Sequence, residues 1–129
     1  LRLAAKGQAA AVIWGGEWTV TVGSRGGLGG PSQEAALAAA IELRGSEGAR
    51  VLTYSTDGRD GPTPHAGAVV DGMTAARMEA VGVRPRIALA CHDSSNALRA
   101  GGALISPGLT GTNLNHIVVA FAVPTLARS

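Results

Sequence analysis

Residues 55–72 read STDGRDGPTPHAGAVVDG, and the first half of that stretch fits no regular element. It holds three acids (Asp57, Asp60 and Asp71), four glycines and two prolines. Gly reaches backbone angles that other residues avoid, Pro lacks an N–H, and Asp bonds its own main chain. That density marks irregular backbone. Ahead of it, residues 50–54 (Arg-Val-Leu-Thr-Tyr) form a short run that reads as a buried strand. A strand that breaks into a Gly/Asp loop on the way to a helix is a usual place for an α/β protein to put a site. The same residues also fit a plain surface loop tied down by its Asp side chains.

The rest of the chain can be placed around that loop. Residues 1–6 read as the end of a helix stopped by Gly7. Residues 9–14 are apolar and predict a buried strand. Residues 17–22 (Glu-Trp-Thr-Val-Thr-Val) alternate and predict a second strand, antiparallel to the first if the two pair. Residues 23–30 are a Gly loop, and Pro31 opens a helix running to Arg44, with Gln33 placed to reach back to the cap N–H. A strand over 49–55 follows. Residues 66–70, small and apolar, fit under the acidic loop. Helices are predicted from Asp71 or Thr74 to Val81, over 86–91, and from Asp93 or Ser94 to Gly101. Residues 103–106 and 116–123 are the last two strands. Interleaved helices and strands predict an α/β class, one three-layer-like domain over 1–129 with a mixed sheet flanked by helices. Within it, residues 1–8 are the end of a preceding helix.

A chain of 129 residues buries roughly two thirds of its unfolded surface and needs no disulfide. The single Cys91 allows none, and in its apolar setting it predicts a buried, inert thiol. The net charge of +2 comes from scattered arginines, and aromatics make up 3%. This composition leaves no basic tail and no stacking platform for nucleic acid. No apolar run approaches the roughly 20 residues needed to cross a bilayer, and the start lacks a signal-peptide core. Its abruptness is read as a fragment or a one-module gene.

Three loops can carry chemistry. Residues 27–30 run into a helix N-terminus, where free N–H groups favour an anion. Neither the Walker pattern nor the dinucleotide fingerprint is present, so a flexible turn fits too. Asp57 and Asp60 can hold Mg²⁺ through water, act as a general base, or bond backbone N–H groups. Residues 110–113 (Thr-Gly-Thr-Asn), with Asn115 and His116, can bind carboxylate or phosphate oxygens, or simply build turns. His65, His92 and His116 lack metal-ligand spacing, which speaks against zinc. His92, Asp93 and Ser94 are sequence neighbours and cannot form a triad.

Taken in order, Gly15-Gly16-Glu17, Gly29-Gly30-x-x-Gln33-Glu34, Thr56-Asp57-Gly58-x-Asp60-Gly61-Pro62-Thr63, Ala66-Gly67-Ala68, Asp93-Ser94 and Thr110-Gly111-Thr112-Asn113 bring a family into view. Over residues 9–123 the chain resembles the MOFRL domain, the C-terminal half of glycerate 2-kinases and hydroxypyruvate reductase-like proteins. The resemblance implies an α/β fold, a cytoplasmic metabolic setting, and a cleft shared with an N-terminal domain. In that cleft ATP with Mg²⁺ phosphorylates the 2-hydroxyl of D-glycerate. The ligand it implies is a hydroxy acid or a nucleotide. Asp57 and Asp60 become the catalytic or Mg²⁺-binding carboxylates. Gly29, Gly30, Ser32, Gln33 and Glu34 become a phosphate cradle. Thr56, Asp93, Ser94, Thr110, Thr112 and Asn113 become groups that meet ligand oxygens.

The departures bear on activity. The family's loop reads Gly-Arg-Gly-Gly-Arg-Asn-Gln-Glu, whereas Leu28 and Pro31 replace both arginines here and Ser32 replaces the Asn. His92 stands for an Asn, and His116 for an acid. Phosphoryl transfer depends on cations that neutralise the moving group. Arg25 and Arg59 are the candidate substitutes. The expectation is a glycerate kinase-like domain without kinase activity on its own. A second reading is a binding module that dimerises through its former cleft face. A third is a kinase half completed by a separate N-terminal domain.

Overall fold

A computed structural model describes residues 6–24 and 26–124. Residues 1–5, read above as a helix end, and the candidate cation Arg25 lie outside the described residues.

Strands β1 (Ala10–Gly16), β2 (Ala49–Ser55), β3 (Gly67–Asp71), β4 (Leu104–Ile105) and β5 (His116–Ala122) form one sheet in the order β1-β5-β2-β3-β4. Four helices accompany it: α1 (Pro31–Glu42), α2 (Thr74–Ala80), α3 (Pro85–Ala90) and α4 (Ser94–Ala100). The α/β class holds, but every pairing is antiparallel and the sheet is not mixed. The reason lies in the connections. β2 and β3 are joined by a loop with no crossover helix, and β5 enters between β1 and β2 running against both.

The strand alternation sorts the sheet into two unlike faces. Ala49, Thr53 and Ser55 of β2, Ala68 and Val70 of β3, and Val118 and Ala122 of β5 are buried on the face that receives α1. Of these, Ala49, Ala68, Val70 and Ala122 form one cluster with Ala36, Leu37, Ala40, Met78 and Leu98 of the helices. Small residues let α1 approach closely, and Thr53 Oγ1 donates to Ser32 O at 2.7 Å. On the other face Ile13, Val69 and Phe121 remain exposed. The molecule is thus two layers, helices on sheet, in place of the three-layer arrangement expected from sequence. No helix among the described residues is long and apolar enough to cross a membrane.

Several local expectations change. Of residues 9–14, those from Ala10 on lie in the edge strand β1 and are not buried, with Ile13 71% and Val12 59% exposed. Residues 17–22 form no strand, because β1 takes β5 as its partner and the chain leaves the sheet after Gly16. Residues 67–71 are a central strand. Cys91 caps the end of α3 and is exposed, since the apolar run before it is a short helix with one wet side. Pro31 does open α1, with Gly30 as its cap residue, but the Gln33 side chain turns away from the cap N–H to meet Asp60 and Thr63.

Candidate functional site

Register brings two of the loops to one rim. Ser55, the last residue of β2, pairs with His116, the first of β5, so residues 56–65 leave the sheet where residues 107–115 enter it. Thr56 stitches the two together. Its N–H and hydroxyl both donate to Asn115 O, at 3.0 and 2.9 Å, and its hydroxyl accepts from Leu114 N–H at 2.6 Å. Thr110 N–H donates to Asp57 O at 3.3 Å, and its hydroxyl to Thr56 O. Gly58 runs so close to Gly108 O that a Cβ there would overlap it, and its φ of +91° suits Gly.

The third loop is drawn in by one carboxylate. Asp60 Oδ1 accepts the Ser32 N–H at 3.0 Å, and Oδ2 accepts the Gln33 N–H at 2.8 Å and Gln33 Nε2 at 3.1 Å. These N–H groups are the unpaired donors of the first turn of α1, so Asp60 caps that helix from a distance. Gln33 Nε2 also donates to Thr63 Oγ1 at 2.8 Å. Asp60 is 1% exposed, and no oxygen of its carboxylate is left facing solvent. Burial pushes this carboxyl above its ordinary range, although the Ser32 and Gln33 donors and His116 favour the charged form. His116 Nε2 lies 4.0 Å from Asp60 Oδ1, and the Trp18 ring rests on the imidazole with centroids 4.6 Å apart.

The glycines of residues 27–30 serve the packing of these loops. A Cβ on Gly30 would come within 2.5 Å of Asp60, one on Gly27 within 2.5 Å of Asp93, and one on Gly29 would overlap Ser94 Oγ. The space a side chain would take is therefore filled by protein. Ser32 and Gln33 donate to Asp60, Leu28 N–H donates to Asp93 Oδ1 at 3.1 Å, and Pro31 has no N–H. The Gly29 and Gly30 N–H groups have no acceptor among the described residues.

The remaining predicted residues divide between this rim and its margins. Asp57 Oδ1 accepts the Arg59 N–H at 3.0 Å and the Ser55 hydroxyl at 3.1 Å, which leaves Oδ2 without a partner. Ser94 is buried beside Gly29, and the side-chain oxygens of Ser32, Ser94 and Ser95 and Oε1 of Gln33 lack partners. Glu34 pairs with His92 Nδ1 at 2.6 Å, and His92 holds a left-handed φ of 54°. Asp93 also accepts from Asn96 Nδ2 at 2.8 Å. Thr112 and Asn113 are exposed and bond only within their own loop. His116, named above only as a candidate for ligand oxygens, stands against Asp60, and Trp18, which sequence reasoning left without a role, packs on His116. The replacement of a family acid by His116 was the one available signal.

Mg²⁺ delivered with a nucleotide needs only one or two protein carboxylates. The donor set fits that mode through Asp57 Oδ2. It does not suit an all-protein cage, since the described residues hold no group of three His, Cys, Asp or Glu able to enclose a metal.

Comparison with known proteins bears on the family and the fold. The sequence pattern of the MOFRL family matches residues 10–116. D-glycerate 2-kinase of Thermotoga maritima is 48% identical over 114 residues, which are 88% of this chain and 27% of that protein. Glycerate 2-kinase of Pyrococcus horikoshii is 42% identical over 118 residues, 92% of this chain and 27% of that one. The crystal structure of a glycerate kinase from Thermotoga maritima superposes with a TM-score of 0.85 at 48% identity, covering 88% of this chain and 27% of the other. The chain thus spans about a quarter of the length of these relatives.

Proposed function

The chain belongs to the MOFRL family, and on that footing we propose that it forms one wall of a glycerate 2-kinase-type cleft and does not phosphorylate glycerate by itself. The observation that supports this reading is that Asp60 ties the acidic loop to the first turn of α1, while Thr110 ties the same loop to residues 107–115. In this proposal Gly29 and Gly30 donate to phosphate oxygens. Asp57, through Oδ2, would hold a phosphate-borne Mg²⁺ or take a proton from the attacking hydroxyl. Thr112 and Asn113, on the exposed lip, orient the hydroxy acid. Asp60, Ser32 and Gln33 hold the rim in shape, as does Ser94 beneath Gly29, while Glu34 and Asp93 fix the flanks. ATP with Mg²⁺ supplies the transferable phosphoryl group and neutralises its charge. A cytoplasmic setting goes with this role.

Isolated inactivity follows from charge. Leu28, 38% exposed, and Pro31 stand where the family's pattern has arginines, so neither position offers a cation to the moving group. The remaining three quarters of the relatives' length is the natural source of such groups. The test is to incubate the purified 129-residue chain with ATP, Mg²⁺ and D-glycerate and to assay phosphoglycerate. No product above background is expected, and turnover should appear only when the N-terminal part of a relative is added. Clear turnover by the chain alone would overturn the proposal.

A second reading draws on the open sheet face. Ile13, Val69 and Phe121 form an uncovered apolar surface that a binding or homo-oligomerising module would hide. Light scattering at rising concentration separates the two: a dimer favours the module, a monomer the cleft wall.

A further inference from the structure

Away from the Asp60 rim, a cavity of about 340 Å³ opens between the C-terminal half of α1, α2 and the start of α3. Ile41 follows Gln33 by eight positions on α1, about 12 Å along the helix axis. Ile41, Ala75, Pro85 and Ile87 make an apolar floor, and Arg44, Arg84, Arg86 and Glu79 stand around it. Arg44 and Glu79 satisfy one another in a two-pronged ion pair. Arg84 and Arg86 have no carboxylate partner among the described residues. Pro85 between them is buried, and its ring fixes its own φ and restricts the backbone of Arg84.

A second hollow of about 270 Å³ shares Ile41 and Arg86 with the first and continues past Ala38, Leu89 and Ala90. The two together make a trough with Arg84 on the first hollow, Arg86 where the two meet, and an apolar bed of Ala38, Ile41, Leu89 and Ala90 beyond it, with Glu42 also on the lining. Arg binds planar oxyanions through paired N–H donors. An apolar bed adds affinity only for a ligand that carries an apolar body. A bare inorganic anion therefore leaves half of the trough unused.

We propose that this trough binds a small amphiphilic anion, with a phosphate or carboxylate head on Arg84 and Arg86 and an alkyl or aryl body over Ile41 and Leu89. None of its residues belongs to the Asp60 rim, so it does not rest on the kinase reading.

Titration calorimetry of the purified chain with octyl phosphate below its micelle concentration, octanoate, inorganic phosphate and octanol tests it. Octyl phosphate should bind at least about tenfold more tightly than inorganic phosphate. It should also lose about tenfold or more in the R84Q/R86Q variant. The methyl resonances of Ile41, Ile87 and Leu89 should shift in the same titration. Octanoate binding as tightly as octyl phosphate assigns a carboxylate head, and weaker binding assigns a phosphate head. Both arginines are exposed, so the variant should melt like the parent, and the single variants R84Q and R86Q serve if it does not. Equal binding of octyl phosphate and inorganic phosphate would overturn the proposal. So would equal binding of octanol, an unchanged affinity in the arginine variants, or shifts confined to residues around Asp57 and Gly30.

Discussion

Asp60 and Ser32, 28 positions apart in sequence, are joined by a 3.0 Å hydrogen bond from the Ser32 N–H to the Asp60 carboxylate. With the 2.8 Å bond from the neighbouring Gln33 N–H, it makes the acidic loop the cap of a helix that was finished before that loop began. Helix α1, the acidic loop and the site rim are therefore one mechanical unit.

Removing that carboxylate should loosen the whole unit. Asp60→Ala leaves two first-turn N–H groups without their acceptor in a buried place and takes one of three acceptors from the Gln33 amide. A loss of about 2–4 kcal/mol is expected. Asp60→Asn keeps one carbonyl oxygen and should lose less. Urea unfolding of both variants measures this, and an Asp60→Ala chain as stable as the parent would contradict the capping role.

Two aspartates should give pH dependences of opposite sign. Burial raises the Asp60 carboxyl above its reference of 3.8, so the native chain keeps that proton to higher pH than the unfolded chain does. The stability it contributes falls as pH rises from 3.8 through the folded value. Asp71 is also pushed up by burial, but bonds from the Thr74 hydroxyl, the Met73 N–H and Arg77 outweigh this and bring it below 3.8. Its contribution is present above 3.8 and is lost as pH falls through the folded value. Unfolding measured from acid to neutral pH should show the parent's margin over Asp60→Asn shrinking as pH rises. The margin over Asp71→Asn should grow.

Gly30 has no room for a side chain. A Cβ there would sit 2.5 Å from the Asp60 carbonyl carbon and 2.6 Å from its carboxylate, neither of which can swing aside. Gly30→Ala should cost about 1–3 kcal/mol. Gly16→Ala, where no atom lies within 4 Å, is the control and should melt near the parent. Thermal melts that rank the two the other way round would refute the packing argument.

Thr56 is the joint between two loops. Thr56→Val removes its hydroxyl bonds to Asn115 O and from Leu114 N–H. About 1–2 kcal/mol of stability should go. Amide exchange of Leu114 should speed up well beyond that of residues in β2, since the loop loses a local tie while the sheet keeps its ladder. Uniform acceleration across both would mean the bond carries no special load.

Residue pattern alone located most of the secondary structure. Pro31 followed by Ala and Leu at helical spacing marked α1, the β-rich runs marked β2 and β5, and Gly, Asp and Pro marked the loops between them. The ordered motifs, above all Thr56-Asp57-Gly58-x-Asp60-Gly61-Pro62-Thr63, were enough to bring the family into view. The failures share one cause. Residues 17–22 have the composition of a strand but no free neighbouring strand to bond. Residues 9–14 are apolar but lie at an edge with no layer above them. Cys91 ends an apolar run but falls on the wet side of a short helix.

What the chain carries in its own order of residues is the local bias of each segment, because backbone angles, capping and periodicity depend on neighbours a few positions away. Only the folded arrangement decided which strands became partners, which sheet face stayed bare, and that Asp60 turned inward to α1 while Asp57 kept an oxygen free. Those outcomes depend on groups tens of residues apart meeting at hydrogen-bond distance, and burial then commits a polar atom to whatever partner lies within reach.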